Sequence, residues 1–174
     1  MNKMSDNLAQ EKIIKLISSD GREFEVPINV IRHCGTINKM IEELGLDDEN
    51  EQDDVIPVQN VTGATLKKII QFCDYHFDDP VMTSDDVEDG PIEIEFLWDA
   101  EFLRLDQTEL YNLLMAANSL ELTRLELIIC QTVANMIKGK TTEEIRRIYN
   151  IENDFTPEEE AQLRGVRSWW WWPF

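Results

Sequence analysis

The chain has 174 residues, of which 43% are hydrophobic and 9% aromatic, so it can fill a core and wholesale disorder is excluded. Its 16 basic and 35 acidic residues give a formal net charge of −19, which repels nucleic acid and anionic membranes and excludes both as expected partners. The same charge either attracts a basic protein surface or only keeps the chain soluble. The three cysteines are widely spaced and odd in number, which predicts reduced thiols. Together with an N-terminus that has no apolar leader, this predicts a cytoplasmic and nuclear location.

The first half of the chain predicts short strands mixed with helices. Residues 13–17 predict a strand, and the alternation in Glu23–Val26 predicts its hairpin partner. Residues 28–35 predict a short helix that ends at its glycine. Thr36 is expected to cap a second helix that ends at Gly45. This order of elements indicates a mixed α/β fold.

An acidic run, DDENEQDD at 47–54, predicts a solvated loop before the next elements. Residues 55–58 predict a third short strand, and Pro57 favours an edge position because proline has no N–H to donate to a neighbouring strand. Thr62 is expected to cap an amphipathic helix. The apolar stripe of that helix consists of Leu66, Ile69, Ile70, Cys73 and Phe77.

A second acidic stretch, 78–95, holds eight acidic residues and two prolines and predicts an exposed, flexible loop. The rest of the sequence is helical in pattern, with Gly139 as a stop signal, residues 142–145 as a helix start, and Pro157 at the first position of the last helix. The apolar stripes of the two longest helices are Leu110, Leu113, Leu114 and Ala117, and Leu122, Leu125, Ile129, Val133 and Ile137.

The sequence contains no complete catalytic or metal-binding motif. ANMIKGKT (134–141) ends like a phosphate-binding loop, but alanine replaces the first glycine and a helix precedes it in place of a strand. Cys73 and His76 have a ligand-like spacing without a second pair, and Cys73 belongs to an apolar stripe. The run at 47–54 lacks the central glycine of a calcium loop. We therefore predict that the protein is not an enzyme and binds no cofactor and no metal.

The C-terminal part carries more apolar surface than it can easily cover. Tyr111, Cys130 and Ile151 add to the two helix stripes, which either form a groove for a helical partner or pack internally. Four of the five tryptophans lie at 169–172, and neighbouring indoles on a helix point about 100° apart, so they cannot all face one core. Either a partner covers this tail, or Trp169 packs and the rest is an exposed apolar end.

Several long stretches carry a family resemblance, among them SSDGREFEV, TINKMIEELG, WDAEFLRLDQTELYNLLMAANSL and TVANMIKGKTTEEIRRIYNIENDFTPEEEAQLR. These stretches resemble the S-phase-kinase-associated adaptor family of cullin–F-box (SCF) ubiquitin ligases. The resemblance implies a BTB/POZ-type α/β domain over 13–138, after a flexible N-terminus of residues 1–12, and a C-terminal helical F-box-binding extension over 139–174. It also implies an adaptor that bridges a cullin scaffold to F-box proteins and transfers no ubiquitin itself.

The resemblance implies site residues by their positions in these motifs. Asn118 corresponds to an asparagine that faces the cullin, whereas Ser119 stands where the family carries an aromatic residue, so the affinity for cullins or the choice among them is expected to change. Glu126 replaces a usual leucine. Pro157 resembles a proline that some protist members hydroxylate and glycosylate, or it is an ordinary helix-start proline. The matching F-box-facing positions are Leu110, Tyr111, Cys130, Val133, Ile137, Ile151 and Trp169.

Two other interaction modules are alternatives. A divergent paralogue that binds F-box proteins without a cullin is consistent with Ser119, whereas an elongin-C-like adaptor lacks the C-terminal helices predicted here. The sequence leaves open whether the free chain forms a homodimer. Beyond Trp169 the usual polar tail is replaced by WWWPF, and we hypothesise that it extends the receptor contact, so that deleting Trp170–Phe174 weakens F-box binding.

Overall fold

The computed structural model describes residues 12–45, 55–83 and 97–167, with side chains as far as residue 163. The predictions for residues 1–11, for the acidic run 47–54, for most of the loop 78–95 and for the tryptophan-rich tail lie outside the described residues. The chain divides into two compact units between Asn135 and Met136, called here the first and second units.

The first unit contains a small three-stranded sheet. Strands β1 (Ile13–Ile17), β2 (Glu23–Pro27) and β3 (Val55–Pro57) take the order β2-β1-β3, so β1 is central. β1 pairs antiparallel with β2 and parallel with β3, with Leu16 opposite Ile56 in the second pair. The predicted hairpin and the predicted edge position of the proline-containing strand are both confirmed. Because strands and helices alternate in this unit, the mixed α/β fold class is also confirmed.

The helices α1 (Ile28–Ile31) and α2 (Gly35–Leu44) follow the hairpin, and here the predicted boundary at Gly35 is wrong. Gly35 begins α2 instead of ending α1, and Cys34 is the residue that precedes the helix. The predicted cap at Thr36 is also wrong, because its hydroxyl donates to the carbonyl oxygen of Ser119 at 3.1 Å. The Thr36 hydroxyl, which the local sequence pattern assigns to capping, is therefore used in a tertiary hydrogen bond instead.

Helix α3 (Gly63–Tyr75) matches its prediction closely. Thr62 caps it, with the side-chain oxygen accepting a hydrogen bond from the Thr65 N–H. The predicted stripe faces the core, since Leu66, Ile69 and Cys73 are fully buried and the other two members are partly buried. Burying this stripe removes apolar surface from water, which is the main contribution that the helix makes to stability.

Three further helices complete the first unit, namely α4 (Leu97–Phe102), α5 (Gln107–Ser119) and most of α6 (Thr123–Ile137). Asp106 caps α5 by accepting from the Glu109 N–H. The inward side chains of α5 and α6 join those of the sheet and α3 in one hydrophobic core. The largest fully buried members of that core are Phe72, Ile14, Leu16, Ile31, Ile37, Ile56, Leu66, Ile69, Leu113, Leu122, Leu125 and Ile129.

The second unit holds the end of α6 and the helices α7 (Thr142–Ile148) and α8 (Pro157–Arg167). α7 begins with a capping box, in which Thr141 and Glu144 bond each other's backbone N–H. Gly139 lies between α6 and α7 with φ +74°, and Pro157 is the first residue of α8, as predicted. Each described helix is too short or too polar to cross a membrane.

Candidate interaction surfaces

The turn from α5 to α6 brings the two predicted cullin-facing residues to the surface. We call residues Asn118–Glu121 the α5–α6 corner. Asn118 and Ser119 are both exposed, and the Asn118 side-chain amide donates to Glu126 Oε1 at 3.3 Å. The Ser119 hydroxyl donates to the carbonyl oxygen of Ala116 at 2.9 Å, so it is engaged with its own helix. Ser119 therefore exposes a small side chain at the position where the resemblance implies an aromatic ring.

Helix α2 supports the corner from the side. The Thr36 N–H donates to the Leu120 carbonyl at 3.3 Å, and Lys39 Nζ lies 2.6 Å from a Glu121 carboxylate oxygen. A Cβ added at Gly35 would lie 2.7 Å from Glu121 Oε2 and 3.0 Å from Glu121 Cβ, so a larger residue here would have to displace the Glu121 side chain. The corner is thus a backbone-bonded surface with an exposed ion pair beside Ser119. Sequence analysis missed Lys39 and Glu121, because their pairing depends on the fold.

The predicted F-box-facing residues of the first unit differ in exposure. Tyr111 is 60% exposed and Cys130 is exposed, whereas Val133 is partly buried against the core. Leu110 is only 4% exposed, so it fills the core and offers almost no surface to a partner. Burial, followed by the nearby Glu126 carboxylate, raises the pKa of the Cys130 thiol, which therefore stays protonated at neutral pH.

Met115 is an exposed apolar residue that sequence analysis did not single out. It lies one helical turn after Tyr111 on α5, and it is 51% exposed. An i, i+4 pair of exposed large side chains forms a continuous apolar strip on a helix. The sequence could have indicated this residue, because Met115 is apolar but lies outside the predicted buried stripe of α5.

The second unit exposes most of its large apolar side chains. Ile137 is 38% exposed and Ile151 is 55% exposed, and Trp169 lies outside the described residues. No described residue of this unit is buried. Four further exposed apolar residues of this unit were not singled out in the sequence: Met136, Ile148, Phe155 and Leu163. Such a concentration of exposed apolar residues is typical of an interaction surface.

A few polar contacts fix the second unit locally. Arg146 Nη1 lies 3.9 Å from Glu160 Oε1, and its guanidinium carbon lies 5.3 Å from the centre of the Phe155 ring. Thr156 and Glu159 bond each other's backbone N–H at the start of α8. Pro157 is exposed at that helix start, where its missing N–H costs little.

Both histidines of the chain are buried in the first unit. His76 Nε2 lies 2.9 Å from Asp99 Oδ1 and His76 Nδ1 lies 2.6 Å from Asp79 Oδ2. The hydrogen bond from His76 holds the pKa of Asp79 below its usual value, and Arg124, 3.4 Å away, acts in the same direction. Burial, helped by the Arg32 charge, lowers the pKa of His33. In the described residues, no group of three or more His, Cys, Asp or Glu side chains could hold a metal ion.

The core also contains a close pair of thiols. Cys34 Sγ and Cys73 Sγ are 3.9 Å apart and both residues are fully buried, and neither forms a disulfide. The contact with Cys73 and burial raise the pKa of Cys34 well above its usual range. Both cysteines are therefore core residues, as the apolar stripe predicted for Cys73.

Comparison with protein families gives two matches on this chain. Residues 12–78 match the tetramerisation domain of the Skp1 family, a POZ-type domain, and residues 124–170 match the dimerisation domain of the same family. The first match covers the sheet and α1 to α3, and the second begins within α6 and includes α7 and α8.

Curated relatives match along most of their length. A Skp1-related protein of Caenorhabditis elegans is 51% identical over 163 residues, which are 92% of this chain and 93% of that protein. The SCF ubiquitin ligase complex protein SKP1a of Dictyostelium discoideum is 42% identical over 90% of this chain and 94% of its own. The E3 ubiquitin ligase complex SCF subunit sconC of Arthroderma benhamiae is also 42% identical, over 90% and 93%.

Proposed function

This chain belongs to the Skp1 family, and we propose that it is the adaptor subunit of an SCF-type E3 ubiquitin ligase. In this role it bridges a cullin scaffold to F-box substrate receptors and takes part in ubiquitin-dependent protein degradation. It transfers no ubiquitin itself. Relatives named as subunits of such ligases, at 42% identity over 90% of the chain, are the main support from comparison.

The observation that carries this proposal is the exposed apolar surface of the second unit. Ile148, Ile151 and Phe155 are each more than 40% exposed, although all three are large and apolar. A helical F-box segment supplies a complementary apolar face and would remove these side chains from water, which is the largest favourable contribution to such binding. Tyr111 and Met115 offer a second apolar strip, on α5 of the first unit.

We assign cullin contact to the α5–α6 corner. Asn118 supplies an exposed amide, and Ser119 supplies a small exposed side chain in place of an aromatic anchor. Loss of a ring at the centre of an interface typically costs about 1–3 kcal/mol of binding free energy. The ion pair between Lys39 of α2 and Glu121 of the corner gives a cullin partner a charged contact instead.

The decisive experiment measures two affinities on the same protein, for a cullin N-terminal domain and for an F-box segment. Ile151→Asp is expected to weaken F-box binding at least about tenfold and to leave cullin binding unchanged, because it places a charge on the apolar surface. Ser119→Tyr is expected to do the opposite, raising cullin affinity alone. Glu152→Gln, at the exposed neighbouring position, is the matched control.

The outcomes separate the alternatives. Binding to both partners supports the adaptor, and binding to the F-box segment alone supports a divergent paralogue that works without a cullin. Binding to neither contradicts the proposal. If Ser119→Tyr creates cullin binding that the natural chain lacks, the missing ring is the cause of the divergence.

The remaining assignments also belong to this proposal. Pro157 is exposed at the start of α8 and is accessible to a prolyl hydroxylase and then a glycosyltransferase; mass spectrometry of the native protein detects the added mass. The buried, unbridged Cys34 and Cys73 fit a reducing cytoplasmic and nuclear location, which cell fractionation tests. Deleting Trp170–Phe174 tests whether the tail adds to the F-box affinity.

A further inference from the structure

An open pocket lies between α3 and α4, and none of the residues that line it is assigned to the cullin or to F-box proteins. Helix α3 contributes Gln71, Asp74 and Tyr75, which share one face because they are spaced i, i+3, i+4. Helix α4 contributes Trp98, Glu101 and Phe102 with the same spacing. The cavity between them has a volume of about 470 Å³. We call it the α3–α4 pocket.

Three aromatic rings form one wall of the α3–α4 pocket. The Tyr75 and Trp98 rings are stacked at 4.0 Å with 4° between their planes, and Trp98 and Phe102 follow at 4.8 Å and 13°. Tyr75 is 48% exposed, so much of its ring faces solvent. The faces of aromatic rings attract cations, and Lys68 Nζ already lies 6.0 Å from the centre of the Phe102 ring.

The polar groups of the pocket also select a cation. Asp74 and Glu101 both place carboxylates on its lining, and both are exposed. Glu101 pairs with Arg104 at 2.9 Å, whereas no ion pair or side-chain hydrogen bond joins the Asp74 carboxylate to another described residue. The Asp74 carboxylate beside an exposed ring, on a chain of net charge −19, is complementary to a positively charged planar group.

A buried side-chain contact joins the two helices that form the pocket. His76 and Asp99 follow Tyr75 and Trp98 in sequence, and their side chains are joined at 2.9 Å with about 1% of each residue exposed. This contact fixes α4 against the end of α3, and with it the positions of the stacked rings. A preformed site loses less conformational entropy when a ligand binds.

We propose that the α3–α4 pocket binds an arginine side chain from a basic segment of a partner protein. The guanidinium stacks on the exposed Tyr75 ring and donates two hydrogen bonds to the Asp74 carboxylate. Arginine is favoured over lysine because its guanidinium is planar, is weakly hydrated and can bond a carboxylate through two N–H groups. The proposal uses none of the residues assigned to cullin or F-box binding, so it stands or falls separately from that function.

The test is an NMR titration of the full-length, ¹⁵N-labelled protein with the peptide acetyl-Gly-Arg-Gly-amide. The Trp98 indole N–H signal is identified by its loss in Trp98→Phe, and it is expected to shift in a saturable way. The same peptide with citrulline has nearly the same shape without the charge, and is expected to cause no saturable shift. A lysine peptide is expected to bind at least about threefold more weakly than the arginine peptide.

Asp74→Asn provides the test within the protein. This exposed substitution leaves the rings in place and is expected to weaken arginine binding at least about threefold. Glu42→Gln removes a different exposed carboxylate of the first unit and is expected to leave binding unchanged. Equal shifts with citrulline, equal affinity for lysine, unchanged affinity in Asp74→Asn, or an unmoved Trp98 signal would each overturn the proposal.

Discussion

The first unit buries its large apolar side chains, whereas the second unit leaves most of its own in contact with water. Every buried apolar residue in the described part of the chain lies at or before Ile129. In the second unit α7 buries no residue at all, and it is held by the capping box at Thr141 and the contacts of Arg146. The difference indicates that the first unit is stabilised by its own core, whereas the second buries none of its described residues; under the proposed function, an F-box segment covers this apolar surface.

This comparison separates two kinds of apolar residue that look alike in the sequence. Leu113 and Ile151 are both large apolar residues that the sequence analysis singled out, yet the first is fully buried and the second is 55% exposed. Burial makes a residue important for stability, and exposure makes it available for binding. Substitutions in the two units should therefore affect different measurements.

The largest expected effect comes from matched truncations in the two units. Leu113→Ala is expected to lower the free energy of unfolding by about 2–5 kcal/mol, because it removes buried methyl groups and leaves a cavity. Ile151→Ala is expected to change it by less than about 0.5 kcal/mol, because the side chain is already exposed. Urea unfolding followed by far-UV circular dichroism measures both. Equal losses would contradict the comparison.

The next effect compares a buried side-chain hydrogen bond in the first unit with a more exposed ion pair in the second. His76→Leu is expected to lower the free energy of unfolding by about 1–3 kcal/mol, because it leaves the buried Asp99 carboxylate without the His76 hydrogen bond. In the second unit, Arg146→Leu removes a contact at 3.9 Å and is expected to cost less than about 1 kcal/mol. Thermal unfolding at neutral pH compares the two variants. A larger loss of stability in Arg146→Leu than in His76→Leu would contradict the conclusion that the first unit holds the more important contact.

Removing one helix cap in each unit is expected to have a smaller effect on stability. Thr62→Ala and Thr141→Ala each remove a helix cap, a loss of about 1 kcal/mol. In the first unit the loss is expected in global unfolding, because α3 belongs to the core. In the second unit it is expected only as faster hydrogen exchange at residues 142–148, with an unchanged global midpoint. A global shift in Thr141→Ala would show that the units unfold together.

The smallest effect is the dependence on pH. Because the pKa of His33 is lowered from 6.5, protons bind the unfolded state more strongly, so the first unit is expected to lose stability as pH falls below 6.5. The pKa of Glu144 is lowered from 4.5 by its bond to the Thr141 N–H, so the α7 cap is expected to persist until pH falls below 4.5. Urea midpoints over this pH range measure the first effect. In the control variant His33→Asn, the midpoint is expected to depend less on pH, because the titrating imidazole is absent. A pH slope unaltered by His33→Asn would assign the effect to another group.

The sequence predicted those features that depend on local patterns. The Thr62 cap, the α3 stripe, the proline start of α8 and the edge position of Pro57 each follow from one residue or one helical period. These succeeded because local preference and tertiary packing agree at those positions.

The features that failed or were missed depend on residues distant in sequence. Gly35 lies against the Glu121 side chain, 86 positions later, and this contact was not visible in the local pattern that placed the glycine at a helix end. His76 and Asp99 are 23 positions apart, and their buried contact appears only once α4 lies against α3. The α5–α6 corner is likewise completed by α2, because Thr36 and Lys39 contact Ser119 and Glu121, which lie 83 and 82 positions later.

The edges of the small sheet have a consequence for behaviour at high concentration. β3 pairs over three residues and ends at Pro57, and β2 on the other side carries the exposed carboxylates of Glu23 and Glu25. A short, proline-ended edge offers few free N–H groups, and an acidic one repels its own copies. The sheet is therefore protected against strand addition and fibril growth, although the second unit exposes large apolar side chains.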